Sequence, residues 1–316
     1  MRPVPAPLVI LSLLPLFSGG IPAQFDDRGG LRYGVLVPDT TTMASAWDVP
    51  RNPLTDTTLG ASPLGDRIRW GYRLFISTPR EAPAYARNKL SCANCHLNAG
   101  QRERALPLVG IAAVFPEYNK REARSFTLED RIVGCFMRSE NATGMRQGGA
   151  KAGHGEAGPD TASAEVAALA SYISWLSEGL DVREKLPWRG QNLIAAGNCI
   201  PVAKLDPERG KELYMRNCAS CHGENGQGVQ IGDRKAGPLW GPDSWNDGAG
   251  AARVYTLAGM IRYAMPYLNP GSLTDEEAQS IAAFINSKPR PDYPFKEKDY
   301  RAGGLPPDAV YYKKRP

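Results

Sequence analysis

Two pentapeptides in this 316-residue chain carry thiols and an imidazole at fixed spacing, Cys92-Ala93-Asn94-Cys95-His96 and Cys218-Ala219-Ser220-Cys221-His222. A C-x-x-C-H run is the attachment signature of c-type haem. Two thiols on one turn add across the porphyrin vinyl groups, and the adjacent imidazole takes the proximal side of the iron. A four-thiolate zinc site leaves both histidines without a role, and a thiol redox pair gives no reason for a trailing His at both places. The expected cofactors are two covalently bound haem c groups, attached through Cys92, Cys95, Cys218 and Cys221, with His96 and His222 as metal ligands.

The far side of each iron has fewer candidates. His154 is the one histidine outside the two motifs. In the second half Met265 precedes Pro266 in the loop before a closing helix, where a thioether can face iron and raise its potential; Met260 is the competitor. The first half offers Cys135, Met137, Met145 and His154. Cys135 lies in the segment from Leu128 to Ser139, where arginines crowd the thiol. Cys199 is the other cysteine outside the haem motifs, so a Cys135 to Cys199 disulfide in an oxidising compartment stands beside thiolate chemistry at iron. The residues alone leave both open.

The elements that must position these groups read as an internal duplication. Ile68, Gly71, Tyr72 and Phe75 follow a helical stripe ahead of the first motif. Asp206 as cap and Pro207 as first helical residue open the equivalent stripe of Gly210, Leu213 and Tyr214 ahead of the second. A glycine on each stripe lets another helix cross closely. Val166, Leu169, Ala170 and Ile173 form the first crossing helix; Thr274 and Glu277 form a capping box ahead of Ala278, Ile281, Ala282 and Ile285 in the second. The fold class is all-α, two class I cytochrome c modules in tandem with irregular N- and C-terminal extensions. The expected boundaries are 1–24 leader, 25–62 irregular extension, 63–186 first domain, 187–204 linker, 205–288 second domain and 289–316 C-terminal extension.

Met1 to about Gln24 has Arg2, an apolar run from Leu8 to Phe17 and small residues near Ala23, the pattern of a secretory signal peptide. That run is too short to span a bilayer. An exported, periplasmic protein with no membrane span is expected. The formal charge of +5 loses Arg2 with the leader, and four haem propionates bring the remainder near neutrality, so a nucleic-acid partner is not expected.

The segment Asn88-Lys89-Leu90-Ser91-Cys92-Ala93-Asn94-Cys95-His96-Leu97-Asn98-Ala99-Gly100, the segment Leu128 to Ser139, and Tyr172-Ile173-Ser174-Trp175-Leu176-Ser177-Glu178-Gly179 together resemble the periplasmic dihaem thiosulfate dehydrogenases. The resemblance runs from about Pro63 to Pro291. It implies that His96 and Cys135 ligate the active-site haem, which makes Cys199 a spectator. It also implies that Arg131 and Ser139 hold substrate, with Arg121 a third such residue and Arg124 its alternative. One departure stands out: where some members have a lysine before the ligand methionine, this chain has Ala264, which puts ligand exchange at the second haem in doubt.

The implied reaction joins two thiosulfate dianions into tetrathionate, and electrons pass from the first haem to the second and on to a soluble periplasmic acceptor such as a small cytochrome. Bringing two dianions to about 4 Å costs roughly 4 kcal/mol in bulk water. Arg121, Arg124, Arg131 and Arg138 are the candidates to offset it, although a single arginine such as Arg138 or Arg124 is more often a solvated surface charge. The direction is not set by the residues, so tetrathionate reduction is also open. Competing readings are a dihaem electron carrier without chemistry of its own and the haem subunit of a multi-protein sulfur-oxidising complex.

Overall fold

The computed structural model describes Met43 and residues 51–143, 158–179, 186–231 and 234–313. The expected leader, Met145 and His154 lie outside the described residues.

Ser62 accepts the Gly65 N–H at 3.0 Å and Pro63 fills the first position, which starts α1 at Pro63–Ile76. Ile68, Gly71, Leu74 and Phe75 are its buried stripe, with Tyr72 half-buried at the edge. Thr127 and Asp130 cap each other's backbone to start α2, Leu128–Arg138. Ser163 caps α3, Ala164–Trp175, which buries Val166, Leu169, Ala170 and Ile173 as expected.

The second half repeats the scheme. Asp206 accepts the N–H groups of Glu208 and Arg209 to cap α4, Pro207–Asn217. Helix α5 spans Val254–Ala264, and the Thr274/Glu277 capping box starts α6 at Asp275–Asn286. In each half the last helix crosses the first at its glycine. A Cβ on Gly71 would lie 2.0 Å from the Ala168 carbonyl oxygen, and one on Gly210 would lie 2.0 Å from that of Ser280. No larger residue fits either crossing without moving a backbone.

Strand is confined to two antiparallel hairpins among the described residues: β1 Glu117–Asn119 with β2 Arg124–Phe126, register Tyr118 opposite Ser125, and β3 Gln230–Ile231 with β4 Arg234–Lys235. The stretch read as a linker packs more than a connector need. Trp188 is buried and its indole N–H donates to the Val109 carbonyl at 3.0 Å, while Ile194 joins the second core.

The halves are stitched together by backbone-directed amides. Asn88 donates to the Ser244 carbonyl at 3.4 Å, and Asn246 donates to that of Met137 at 2.8 Å. The C-terminal extension is irregular yet anchored. Arg138, expected as a surface charge, is instead 5% exposed and forks onto Asp299, with both N···O distances 2.8 Å. Asp308 accepts the Tyr255 N–H at 2.9 Å and pairs with Arg253 at 3.0 Å.

Candidate functional site

The residues from Cys92 to His96 wind through a 3-10 turn, Cys92–Asn94. Asn94 Oδ1 accepts the Ser91 N–H at 2.7 Å, and Thr78 Oγ1 accepts the Cys92 N–H at 3.3 Å. These bonds hold the motif to the end of α1. His96 Nδ1 lies 2.6 Å from the Leu106 carbonyl oxygen. A carbonyl only accepts, so Nδ1 carries the proton and Nε2 is left with its lone pair for a metal. Burial pulls the imidazole pKa down to about 4, which keeps the ring neutral as ligation requires.

Next to this turn is a cavity of about 290 Å³ with Cys92, Cys95, His96, Arg131, Cys135 and Ser139 in its walls. Its remaining lining is largely apolar, including Phe75, Ile132, Phe136, Leu169 and Ile173. Helix α2 explains the second group. Leu128, Ile132 and Phe136 turn into the core, and Arg131, Cys135 and Ser139 follow at successive four-residue steps on the neighbouring stripe. Two thiols for attachment, a neutral imidazole with a free nitrogen, a third sulfur at Cys135 and an apolar hollow are a donor set and shape that suit a c-type haem. The residues fit that group.

The four arginines separate sharply. Arg131 lines the cavity, is exposed, and makes no side-chain hydrogen bond or ion pair with any described residue. Arg124 pairs with Asp130 at 3.1 Å and Arg138 is locked to Asp299. Arg121, expected at the substrate, is absent from the cavity wall. Its guanidinium donates to the Gly248 carbonyl and to the Tyr300 hydroxyl at 3.1 Å, clamping the C-terminal extension. Its side chain points at another part of the fold.

No cysteine is disulfide-bonded. Cys135 faces the first cavity, while Cys199 packs on the second core, with Sγ 3.7 Å from the Ala195 carbonyl oxygen. The disulfide alternative is therefore not realised.

In the second half Cys218 caps the end of α4, and a single turn, Ala219–His222, carries Cys221 and His222. His222 Nδ1 approaches the Gly237 carbonyl at 3.3 Å, the counterpart of the His96 arrangement, and burial again lowers the ring's pKa. Met265 is the C-cap of α5 in extended backbone, and packs with Leu97, Ala105, Leu106 and Met260. Met260 is held inside the helix of that cluster, so packing alone does not separate the two thioethers.

Glu140, Asn192 and Trp245 are among the cavity-wall residues that sequence reasoning missed. Glu140 is 3% exposed and its Oε2 has no hydrogen-bond partner; burial pushes its carboxyl well above the ordinary carboxylate range. Asn192 and Trp245 arrive from beyond the first half. No local pattern marks them, because they reach the wall only through the packing of the two halves.

The chain resembles known proteins along most of its length. Residues 82–182 match the family described as SoxA/TsdA, cytochrome c domain, and residues 205–285 match Cytochrome C oxidase, cbb3-type, subunit III. Thiosulfate dehydrogenase of Stutzerimonas stutzeri is 34% identical over 244 residues, which is 77% of this chain and 73% of that protein. The chain belongs to the thiosulfate dehydrogenase family. The thiosulfate dehydrogenase of Allochromatium vinosum is 35% identical over 72% of this chain and 80% of that protein. Among solved structures, thiosulfate dehydrogenase (TsdBA) from Marichromatium purpuratum superposes with a TM-score of 0.66 at 35% identity, covering 77% of this chain and 50% of that longer one. The chain thus consists of two cytochrome c domains in an all-α fold, and haem c is the cofactor of this family's architecture.

Proposed function

We propose that this thiosulfate dehydrogenase family member is a periplasmic dihaem enzyme that oxidises two thiosulfate ions to tetrathionate and passes the electrons to a small soluble acceptor cytochrome. The reading places one haem on Cys92 and Cys95 with His96 and Cys135 at the iron, and one on Cys218 and Cys221 with His222 and Met265. The observation that carries it is the stripe Arg131, Cys135 and Ser139 on one cavity wall, with Arg131 alone among the four arginines uncommitted to a described partner.

Arg131 attracts the first dianion to the cavity mouth and offsets part of the repulsion from the second. The Ser139 hydroxyl donates to a sulfonate oxygen, since its backbone N–H is already committed to the Cys135 carbonyl at 2.7 Å. The Cys135 sulfur forms a bond to the outer sulfur of one thiosulfate, with release of two electrons. The outer sulfur of the second thiosulfate then attacks the thiosulfate-derived sulfur of that adduct, forming tetrathionate and releasing Cys135 as thiolate. Haem c supplies one-electron acceptance at each site when bound. A thiolate ligand on the first iron and a thioether on the second favour flow toward the second, and the sulfur chemistry is reversible in principle.

No helix among the described residues is long and apolar enough to cross a membrane. Export rests on the leader pattern at 1–24 and on haem attachment, which takes place outside the cytoplasm. The test is to give the isolated holoprotein free thiosulfate and a one-electron acceptor. One tetrathionate per two electrons is the expected stoichiometry. No turnover without a companion chain favours the multi-protein complex, and none under any condition favours the plain electron carrier.

A further inference from the structure

Leu90 belongs to the first half of the chain, two residues ahead of Cys92, yet it is buried in the core of the second half. The residue before it is fixed to the same place. The Lys89 N–H donates to the Asp243 carbonyl at 3.1 Å, and the Lys89 ammonium pairs with the Asp243 carboxylate at 2.6 Å. Leu90 also lines the cavity that Cys92, Cys95, His96 and Cys135 share. On its other side is Gly237: a Cβ there would stand 2.4 Å from Leu90 Cδ2, and 3.3 Å from Asn94 Nδ2 of the first motif. Gly237 supplies the carbonyl that His222 Nδ1 approaches at 3.3 Å. One side chain of the first cavity's wall therefore rests against the peptide unit that orients the second half's imidazole.

A hydrogen bond from the far nitrogen of a ligating imidazole to a carbonyl makes the ring more basic, and a more basic ring favours ferric iron. The strength of that bond depends on how firmly the carbonyl is held. We propose that Leu90 is a positioning residue for the second haem: by packing on Gly237 it keeps the carbonyl at His222 Nδ1, so that the docked first domain sets the second haem's potential. The proposal rests on the reading that His222 ligates that haem. The first imidazole has the shorter anchor, 2.6 Å to the Leu106 carbonyl oxygen. The second, at 3.3 Å, is near the outer limit of an N–H···O bond, so a small displacement of Gly237 removes it. Glycine at this position is what allows the approach, since any Cβ would need the space Leu90 occupies. Keeping the bond holds the second haem's potential down, which lets that haem hand its electron on to an acceptor instead of trapping it.

The experiment is an optical redox titration of the native holoprotein and of Leu90→Ala, Leu90→Met, Gly237→Ala and the double variant Leu90→Ala/Gly237→Ala, with a thermal melt of each. The second haem's signal is the one that Cys135→Ser leaves in place. Leu90→Ala is expected to raise that haem's ferrous-to-ferric ratio about tenfold at fixed applied potential, about 59 mV for one electron. Gly237→Ala moves it in the same direction, because its methyl and Leu90 cannot share the space. In the double variant the new methyl takes the room that Leu90 gave up, and the potential returns toward the native value, which independent damage at two sites does not produce. Leu90→Met, of similar volume, keeps the native potential. Should Leu90→Ala fail to fold, Leu90→Val makes the same comparison with a smaller truncation. A lower Tm with an unchanged second-haem potential overturns the proposal, as do a shift confined to the first haem or single-variant shifts that simply add in the double variant. A native protein lacking haem at Cys218 and Cys221 on a denaturing gel refutes the underlying reading instead.

Discussion

The backbone at Ala168 passes so close to Gly71 that a Cβ there would sit 2.0 Å from its carbonyl oxygen. Behind this crossing the Tyr172 ring meets that of Phe75 at a tilt, centroids 5.5 Å apart, and the Phe75 centroid in turn stands 6.1 Å from that of His96. The helix crossing therefore sets the floor on which the first imidazole rests. Gly71→Ala is expected to destabilise the protein by about 1 to 3 kcal/mol through overpacking, and to lower haem occupancy at Cys92 and Cys95 before that at Cys218 and Cys221. Chemical denaturation with haem staining of proteolytic halves checks both. Gly210→Ala should show the opposite order.

The Arg138 to Asp299 fork is buried on both sides, with side-chain exposures of 6% and 1%. Asp299→Ala leaves a buried guanidinium with the half-buried Glu122 at 3.2 Å as its remaining carboxylate and the Gly248 carbonyl as a neutral acceptor, and is expected to cost about 3 kcal/mol. Limited proteolysis should then release the C-terminal extension first. Retention of the extension at native protease resistance would show that the fork adds little.

Much of this fold was legible because its cues are local. Asp206 with Pro207, Thr274 with Glu277, and the stripes around Gly71 and Gly210 are rules of capping and periodicity that tertiary contacts did not override. Arg131, Cys135 and Ser139 were singled out through the family resemblance rather than by periodicity, and their common stripe along α2 and its C-cap emerged only with the structure. The place of Arg121 was not legible, because its partner Tyr300 comes from 179 residues further along the chain. Trp245 escaped because it reaches the cavity wall from the second half, and Glu140 because a buried, unpartnered carboxylate oxygen is a property of the folded chain and not of a local pattern.

Arg131→Ala is expected to lower kcat/KM for thiosulfate about 100-fold, since it removes the one cation at the cavity wall that has no ion-pair partner among the described residues. Arg124→Ala, whose charge is spent on Asp130, should stay within about twofold by the small worth of an exposed pair. Arg121→Ala should show its effect as a lower Tm, because it frees the Gly248 and Tyr300 contacts. Steady-state kinetics with a thermal melt separates the three.

For the second haem, Met265→Gly is expected to abolish the thioether-to-iron absorption band and lower that haem's potential, while Met260→Leu leaves both in place. Met260 lies within α5, whereas Met265 ends that helix in extended backbone directly before Pro266, the position the sequence pattern assigns to the ligand. Visible spectroscopy of the two oxidised variants checks this, and the reverse pattern assigns the ligand to Met260.

The central claim is that the Cys135 sulfur is both iron ligand and reacting atom, and the most direct test compares Cys135→Ser with the native holoprotein in one preparation. Low-temperature spin resonance of the oxidised protein reports thiolate ligation, and stopped-flow reduction by thiosulfate reports chemistry. The account requires that Cys135→Ser keep two haems per chain, lose the thiolate signature of the first haem and lose thiosulfate-dependent reduction by at least about 1,000-fold, the scale of removing a covalent nucleophile. A Cys135→Ser protein that turns over thiosulfate at near-native rate contradicts it.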